Sequence, residues 1–160
     1  MVDPINKINQ LKKHRNEWDK RWIDLCKLVA SWSKDRSTKV GAVIIDKRNI
    51  ILSLGWNGFP KGIKDNIDER HERPVKYKWI EHAERNAIYN AVSNGINLAD
   101  SRIYIQWYPC SDCARAIIQS GISEIICYKP DFNDERWGLD FKMVEEMFNE
   151  TDIFVRYIEE

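Results

Sequence analysis

Apolar residues recur at positions 18, 22, 25, 26 and 29, the three-to-four spacing of an amphipathic helix, and predict one over Trp18–Ser33 with Cys26 turned to a core. Beyond it the pattern changes. Val40–Ile45 and Ile50–Trp56 are runs of β-branched and apolar residues, and Asp46-Lys47-Arg48-Asn49 between them is turn material, so an antiparallel hairpin is expected. Glu81–Ser93 reads as a helix stopped by Asn94-Gly95. Two short apolar segments, Ile103–Ile105 and Ile125–Tyr128, then enclose a helical stretch, Cys113–Ser120, with Gly121 in the position of a C-cap. Glu135–Phe148 and Asp152–Tyr157 read as a last helix and a last strand. A hairpin followed by alternating helices and strands implies an α/β fold, a mixed sheet with helices on its faces. The one long piece without a period is Gly58–Lys78, opened by Asn57-Gly58-Phe59-Pro60 and rich in both charges. Loops of that length are uncommon unless they serve function.

The chain has 160 residues, 43% of them apolar and seven of them Trp, enough for one domain over 1–160 with a sizeable core. Twenty-five basic and twenty-five acidic residues cancel, and no run of five or six like charges occurs. A general electrostatic attraction to polynucleotide or to an anionic membrane is therefore not encoded, and any bound phosphate must be met locally. The segment 1–15 is polar and basic without an apolar signal core, and no window approaches about 18 consecutive apolar residues. A soluble, cytoplasmic protein is expected. Four Cys include a closely spaced pair, which in that compartment points to metal or redox chemistry before disulfides.

That pair belongs to a larger set. His82-Ala83-Glu84 is followed, about 25 residues on, by Pro109-Cys110-Ser111-Asp112-Cys113. One imidazole and two thiolates leave the fourth corner of a tetrahedral zinc open to water, whereas structural zinc sites are closed by four protein ligands. The H-x-E…P-C-x-x-C order is the signature of zinc nucleobase deaminases. Cys110 and Cys113 share a face at one predicted helix start, and His82 lies at another, where the macrodipole favours thiolate. Pro109 suits a first helical turn. Glu84 points away from His82 on a regular helix and stands free as a proton carrier, taking a proton from zinc-activated water and delivering it to a ring nitrogen and departing ammonia. Plainer readings stay open: a redox C-x-x-C pair, or a structural knuckle closed by Cys26, Cys127 or His71. Cys26 and Cys127 read as small buried hydrophobes, and His14 as solvated. His71 is undecided, and Trp18, Trp22 and Trp32 read as core or interface residues.

Val40-Gly41-Ala42-Val43-Ile44, Gly55-Trp56-Asn57-Gly58-Phe59-Pro60, His82-Ala83-Glu84-Arg85-Asn86-Ala87-Ile88 and Pro109-Cys110-Ser111-Asp112-Cys113-Ala114-Arg115-Ala116-Ile117-Ile118 together resemble the deoxycytidylate deaminase family of the cytidine deaminase superfamily. The resemblance spans about residues 18–157. It implies a three-layer α/β/α fold with a five-stranded mixed sheet of order 2-1-3-4-5, and conversion of dCMP to dUMP with release of ammonia. It implies one catalytic Zn2+ on His82, Cys110 and Cys113, with Glu84 as the acid and base. Asn57 would contact the sugar, and the Ala83 backbone N–H the base carbonyl. It further implies a homo-oligomer, often a hexamer, with dCTP and dTTP as effectors near Gly55, Trp56, Gly58 and Phe59, and Mg2+ accompanying those nucleotides.

Where the family usually has Thr, Leu and a variable residue before Pro109, this chain has Gln106, Trp107 and Tyr108, which puts an indole and a phenol at the pocket edge. Both are candidate substrate contacts, although Trp107 reads equally as a strand end closed on the core. Arg36, Ser37, Thr38 and Lys39 form a compact donor set suited to a nucleotide phosphate, with Lys39 the chosen contact, or else a solvated turn. Competing functions are a deaminase of another cytosine nucleotide, nucleoside or modified dCMP, and a base deaminase acting on tRNA or single-stranded nucleic acid. The balanced charge argues against the second. A non-enzymatic zinc module that senses nucleotides is the remaining class, and the presence of Glu84 argues against it.

Overall fold

The computed structural model describes residues 4–159. Met1–Asp3 and Glu160, which the readings of 1–15 and of 1–160 include, lie outside them. Helix α1 (Pro4–Ala30) leads to the hairpin β1 (Gly41–Ile45) and β2 (Ile51–Trp56), and two short 3-10 turns, Asp68–His71 and Val75–Lys78, interrupt the long loop. Then come α2 (Ala83–Ser93), β3 (Arg102–Ile105), α3 (Ser111–Gln119), β4 (Glu124–Tyr128), α4 (Gly138–Asn149) and β5 (Phe154–Ile158). The strands form one sheet of order β2-β1-β3-β4-β5, antiparallel on both sides of β1 and parallel from β3 to β5.

Alternation along the strands divides the core in two. Ala42, Ile44, Ile103, Ile105, Ile125 and Cys127 face α2, α3 and α4, with Ala87, Ile117 and Phe148 packed on them. Val43, Ile45, Tyr104 and Ile126 face α1, which answers with Trp22, Ile23 and Cys26. This is the three-layer arrangement with one helix on one face and three on the other. Side chains two apart in a strand point to the same face, so a single run such as Ala42–Ile45 serves both cores.

Several boundaries moved from expectation. Helix α1 starts about four turns before Trp18; residues 5–17 are mostly polar and exposed, with Ile5, Ile8 and Leu11 as their three apolar positions, so the packed stripe begins only at Trp18. Trp22 is core and Trp18 packs beside it, but Trp32 is half exposed, edge-on to Trp56 with ring centroids 5.2 Å apart. The hairpin turn falls where expected: Asp46 accepts the N–H groups of Arg48 and Ile50, each at 2.8 Å, and Asn49 takes the left-handed conformation at φ 65°. Gly121, at φ 77°, follows the α3 C-cap. No helix among the described residues is long and apolar enough to cross a membrane.

Helix α2 lies directly against the edge strand β2. A Cβ at Gly55 would come 2.3 Å from both the Ala83 carbonyl oxygen and the Ala87 nitrogen, so only glycine permits this approach. Asn86 and Asn90 donate to the carbonyls of Trp56 and Leu54 at 2.8 Å, satisfying β2 carbonyls from the helix side. The consequence is a fixed position for the α2 N-terminus.

Candidate active site

His82 is the residue before α2, with extended backbone at φ −79°, ψ 156°, and Cys110 holds the same place before α3 at φ −74°, ψ 168°. Cys113 is in the first turn of α3. Asp140 of α4 accepts the Ser111 N–H at 2.9 Å and steadies that turn, and Arg85 reaches from α2 to Asp112 of α3 at 3.4 Å. His82 Nδ1 lies 3.5 Å from each of the two Sγ atoms. Zinc bonded at about 2.3 Å to sulfur and about 2.0–2.1 Å to nitrogen, at a tetrahedral angle, separates N from S by about 3.5 Å. The donor set therefore fits zinc in both chemistry and spacing. Among the described residues it is the group of His, Cys, Asp or Glu that could hold a metal ion.

The titration of the set is consistent with a cation site. The Cys110 thiol is held down to about 4, first by its hydrogen bond with Cys113 and then by His82, despite burial. The Cys113 thiol is pushed up by that same bond and by burial, and His82 is raised by its bond to Cys110. A divalent ion displaces the proton held between two such sulfurs and binds both as thiolates. Glu84, 5% exposed, is raised by burial against the opposing charge of His82. Its carboxyl thus has the desolvated environment of a proton carrier.

A cavity of about 650 Å³ opens over these groups. Its buried lining includes Ala83, Glu84, Asn57, Tyr108 and the Asp35–Lys76 pair, and its exposed lining includes Arg73, Lys129, Arg136 and Trp107. Sequence reasoning singled out His82, Ala83, Glu84, Asn57, Trp107, Tyr108 and Cys110, and the fold brings all seven to this one space. Asn57 is fully engaged: Oδ1 accepts from the Val40 N–H at 2.8 Å, and Nδ2 donates to the Thr38 carbonyl at 2.8 Å and to Asp35 at 3.3 Å. It holds the 35–40 loop against the cavity.

The donor set at 36–39 is dispersed. Arg36 pairs with Asp68 and Ser37 with Asp35, Thr38 reaches the cavity, and Lys39 is exposed outside its lining. A loop turns successive side chains apart, so neighbours in sequence do not share a target. Gly55, Trp56, Gly58 and Phe59 also stand outside the lining. Gly55 is enclosed by α2, Gly58 pairs its backbone with Glu81, and Phe59 meets His71 with centroids 4.9 Å apart. Sequence reasoning missed Asp35, Lys76, Arg73, Lys129 and Arg136. No spacing links them; the length of the irregular stretch Gly58–Lys78 was a signal for Arg73 and Lys76, and nothing local marked Asp35, Lys129 or Arg136.

The profile of the cytidine and deoxycytidylate deaminase zinc-binding region matches residues 16–129. The chain belongs to this family. An uncharacterized deaminase of Aliivibrio fischeri from the luxG 3′ region is 40% identical over 146 residues, 89% of this chain and 95% of that protein. Human deoxycytidylate deaminase is 34% identical over 123 residues, 74% of this chain and 68% of the human protein. The crystal structure of dCMP deaminase from the cyanophage S-TIM5 in complex with dCMP and dUMP superposes with a TM-score of 0.66 at 20% identity, covering 99% of this chain and 100% of that one. That likeness shows the deaminase fold. His82, Glu84, Cys110 and Cys113 all fall inside the matched zinc-binding region.

Proposed function

We propose that the protein hydrolyses dCMP to dUMP and ammonia, with Zn2+ on His82, Cys110 and Cys113 and with Glu84 as the proton carrier. The observation that carries this reading is the buried Glu84 carboxyl in the same cavity as the His82 and Cys110 donors. The deoxycytidylate deaminases among the relatives support the substrate. Bound there, zinc would supply Lewis-acid activation of water. Glu84 accepts a proton from the attacking water as the water oxygen bonds to the amino-bearing ring carbon, and returns it to the ring nitrogen. A second transfer through the same carboxyl lets the C–N bond break and ammonia leave. The Ala83 N–H, at the first turn of α2 where backbone donors lack helical partners, meets the base carbonyl.

The phosphate is met at the cavity mouth. Arg73 and Lys129 line the cavity and make no ion pair among the described residues, and the Arg136 guanidinium is engaged with Tyr77 and with no carboxylate among them. Asn57 serves the sugar by holding the 35–40 loop, and Lys39 can reach only a ligand that extends beyond the cavity. The motif resemblance extends the reading to a cytoplasmic homo-oligomer, hexameric in its fullest form, regulated by dCTP and dTTP with Mg2+ near Trp56, Gly58 and Phe59; Gly55 contributes there by packing. The primary test is zinc-loaded protein incubated with dCMP, deoxycytidine and CMP. Loss of the cytosine absorbance band and release of ammonia are expected with dCMP first, and inertness toward dCMP sinks the reading.

A further inference from the structure

Six aromatic side chains line the cavity: Tyr77, Trp107, Tyr108, Tyr128, Trp137 and Phe141. Five of them are already engaged. Tyr108 lies edge-on to Phe141 with centroids 5.4 Å apart, and Phe141 is stacked with Trp137. Arg136 covers the rings of Tyr77 and Trp137 at 5.1 and 5.0 Å, and Lys27 lies over Tyr128 at 5.9 Å. Trp107 alone has no ring, cation or hydrogen-bond partner among the described residues, and it is 60% exposed.

Its neighbours are anchored on both sides. Gln106 Oε1 accepts the Gly41 N–H at 2.8 Å, tying this segment to the start of β1. Tyr108 is 5% exposed in its aromatic cluster, and Pro109 follows with a ring-locked φ. A backbone held from both sides presents the indole with little conformational freedom left to lose on binding. An indole in this setting leaves a flat apolar face in water on the wall of a cavity whose other rings are engaged, and a flat ligand ring is what removes that face from water.

We infer that Trp107 is a substrate-binding residue whose indole stacks on the heterocycle of the bound nucleotide; the identity of that heterocycle as cytosine rests on the function proposed above. Every base has a π-face, so the stack adds affinity without reading ring substituents. It also takes no part in proton transfer, which is left to Glu84.

The test uses zinc-loaded wild type, Trp107→Leu and Trp107→Phe, whose folding is checked by circular dichroism. Titration with dUMP should change wild-type tryptophan emission, and Trp107→Phe should remove most of that change, leaving only what Trp137 in the same lining contributes. Trp107→Leu should raise KM about 10-fold for dCMP and for 5-methyl-dCMP alike, with kcat moving less, and Trp107→Phe should restore most of the affinity. An unchanged KM in Trp107→Leu while wild type turns over dCMP overturns the stack and leaves the function standing. So does a loss confined to one of the two substrates, because the indole would then read the ring edge. An emission change that follows protein concentration in place of dUMP overturns it too, assigning Trp107 to a contact between copies. If wild type is inert to dCMP, another nucleotide that quenches Trp107 keeps the stack and overturns the substrate, and quenching by none overturns both.

Discussion

Lys76 Nζ lies 2.9 and 2.8 Å from the two carboxylate oxygens of Asp35, and the two side chains are only 6% and 3% exposed. Asp35 also accepts the N–H groups of Ser37 at 2.8 Å and Thr38 at 3.1 Å. The pair joins the turn Val75–Lys78 to the loop before β1, and both residues line the cavity. It therefore fastens two walls of the candidate site to each other. Removing one member leaves the other charge buried and alone, so Lys76→Met should cost about 3–5 kcal/mol in urea unfolding. The double variant Asp35→Asn, Lys76→Met should recover much of that loss, and a double variant no more stable than Lys76→Met contradicts the account.

The same pair gives a pH signature. Burial pushes the Asp35 carboxyl up, but Lys76 and the backbone donors of Ser37 and Thr38 outweigh it and hold the group at about 2, below its ordinary 3.8. A carboxyl depressed in the folded state contributes stability that is complete above its unfolded value and lost as pH falls through the folded one. The stability difference between wild type and Asp35→Asn should thus be largest above about pH 4 and shrink toward about pH 2. A difference that does not change over that window removes Asp35 as the source.

Metal and proton roles separate by substitution. His82→Ala, Cys110→Ser and Cys113→Ser should each lose bound zinc, measured by inductively coupled plasma mass spectrometry, and lower the thermal midpoint, since the ion ties α2 to α3. Glu84→Gln should keep zinc and the fold while dCMP turnover falls about 10²–10⁴-fold. Zinc loss in Glu84→Gln would make the carboxylate a ligand.

Arg73 and Lys129 are exposed cations at the mouth of the cavity without ion-pair partners among the described residues. If they meet the phosphate, Arg73→Ala and Lys129→Ala should each raise KM for dCMP about 10-fold and leave the weak turnover of deoxycytidine where it was. The dCMP effect should diminish with added salt, because both groups are solvated. Equal losses on the two substrates would place the cations elsewhere.

Gly55→Ala puts a methyl group 2.3 Å from the Ala83 and Ala87 backbones. Overpacking of this kind typically costs 1–3 kcal/mol, and a clash with backbone on two sides should reach about the upper figure. Because α2 must shift and His82 precedes it, zinc affinity should fall as well, read by competition with a chromogenic chelator. Wild-type zinc affinity in Gly55→Ala would mean that α2 moves without its first turn.

Much of the fold was legible because its periods are local. The hairpin and the three parallel strands follow from short apolar runs bounded by turn residues, and α2 and α3 from three-to-four spacing, signals that survive without knowledge of the partner surface. Helix α1 shows the limit: residues 5–17 are exposed and mostly polar, so the packed stripe that marks the helix begins only at Trp18. Strand order came from motif resemblance, since register between segments far apart in sequence leaves no local trace.

The site divides along the same physical line. His82, Glu84, Cys110 and Cys113 were singled out by sequence alone, because spacings of two and three residues at a helix start fix relative directions within each pair, while the fold brings the two helix starts together. The tertiary structure alone decided what surrounds them: the Asp35–Lys76 clasp, Lys39 outside the cavity lining, and, among the described residues, Arg73 and Lys129 without counter-charges and Trp107 without a partner. Whether a charge or a ring is spent or free depends on which distant groups come within a few ångströms, and only folding settles that.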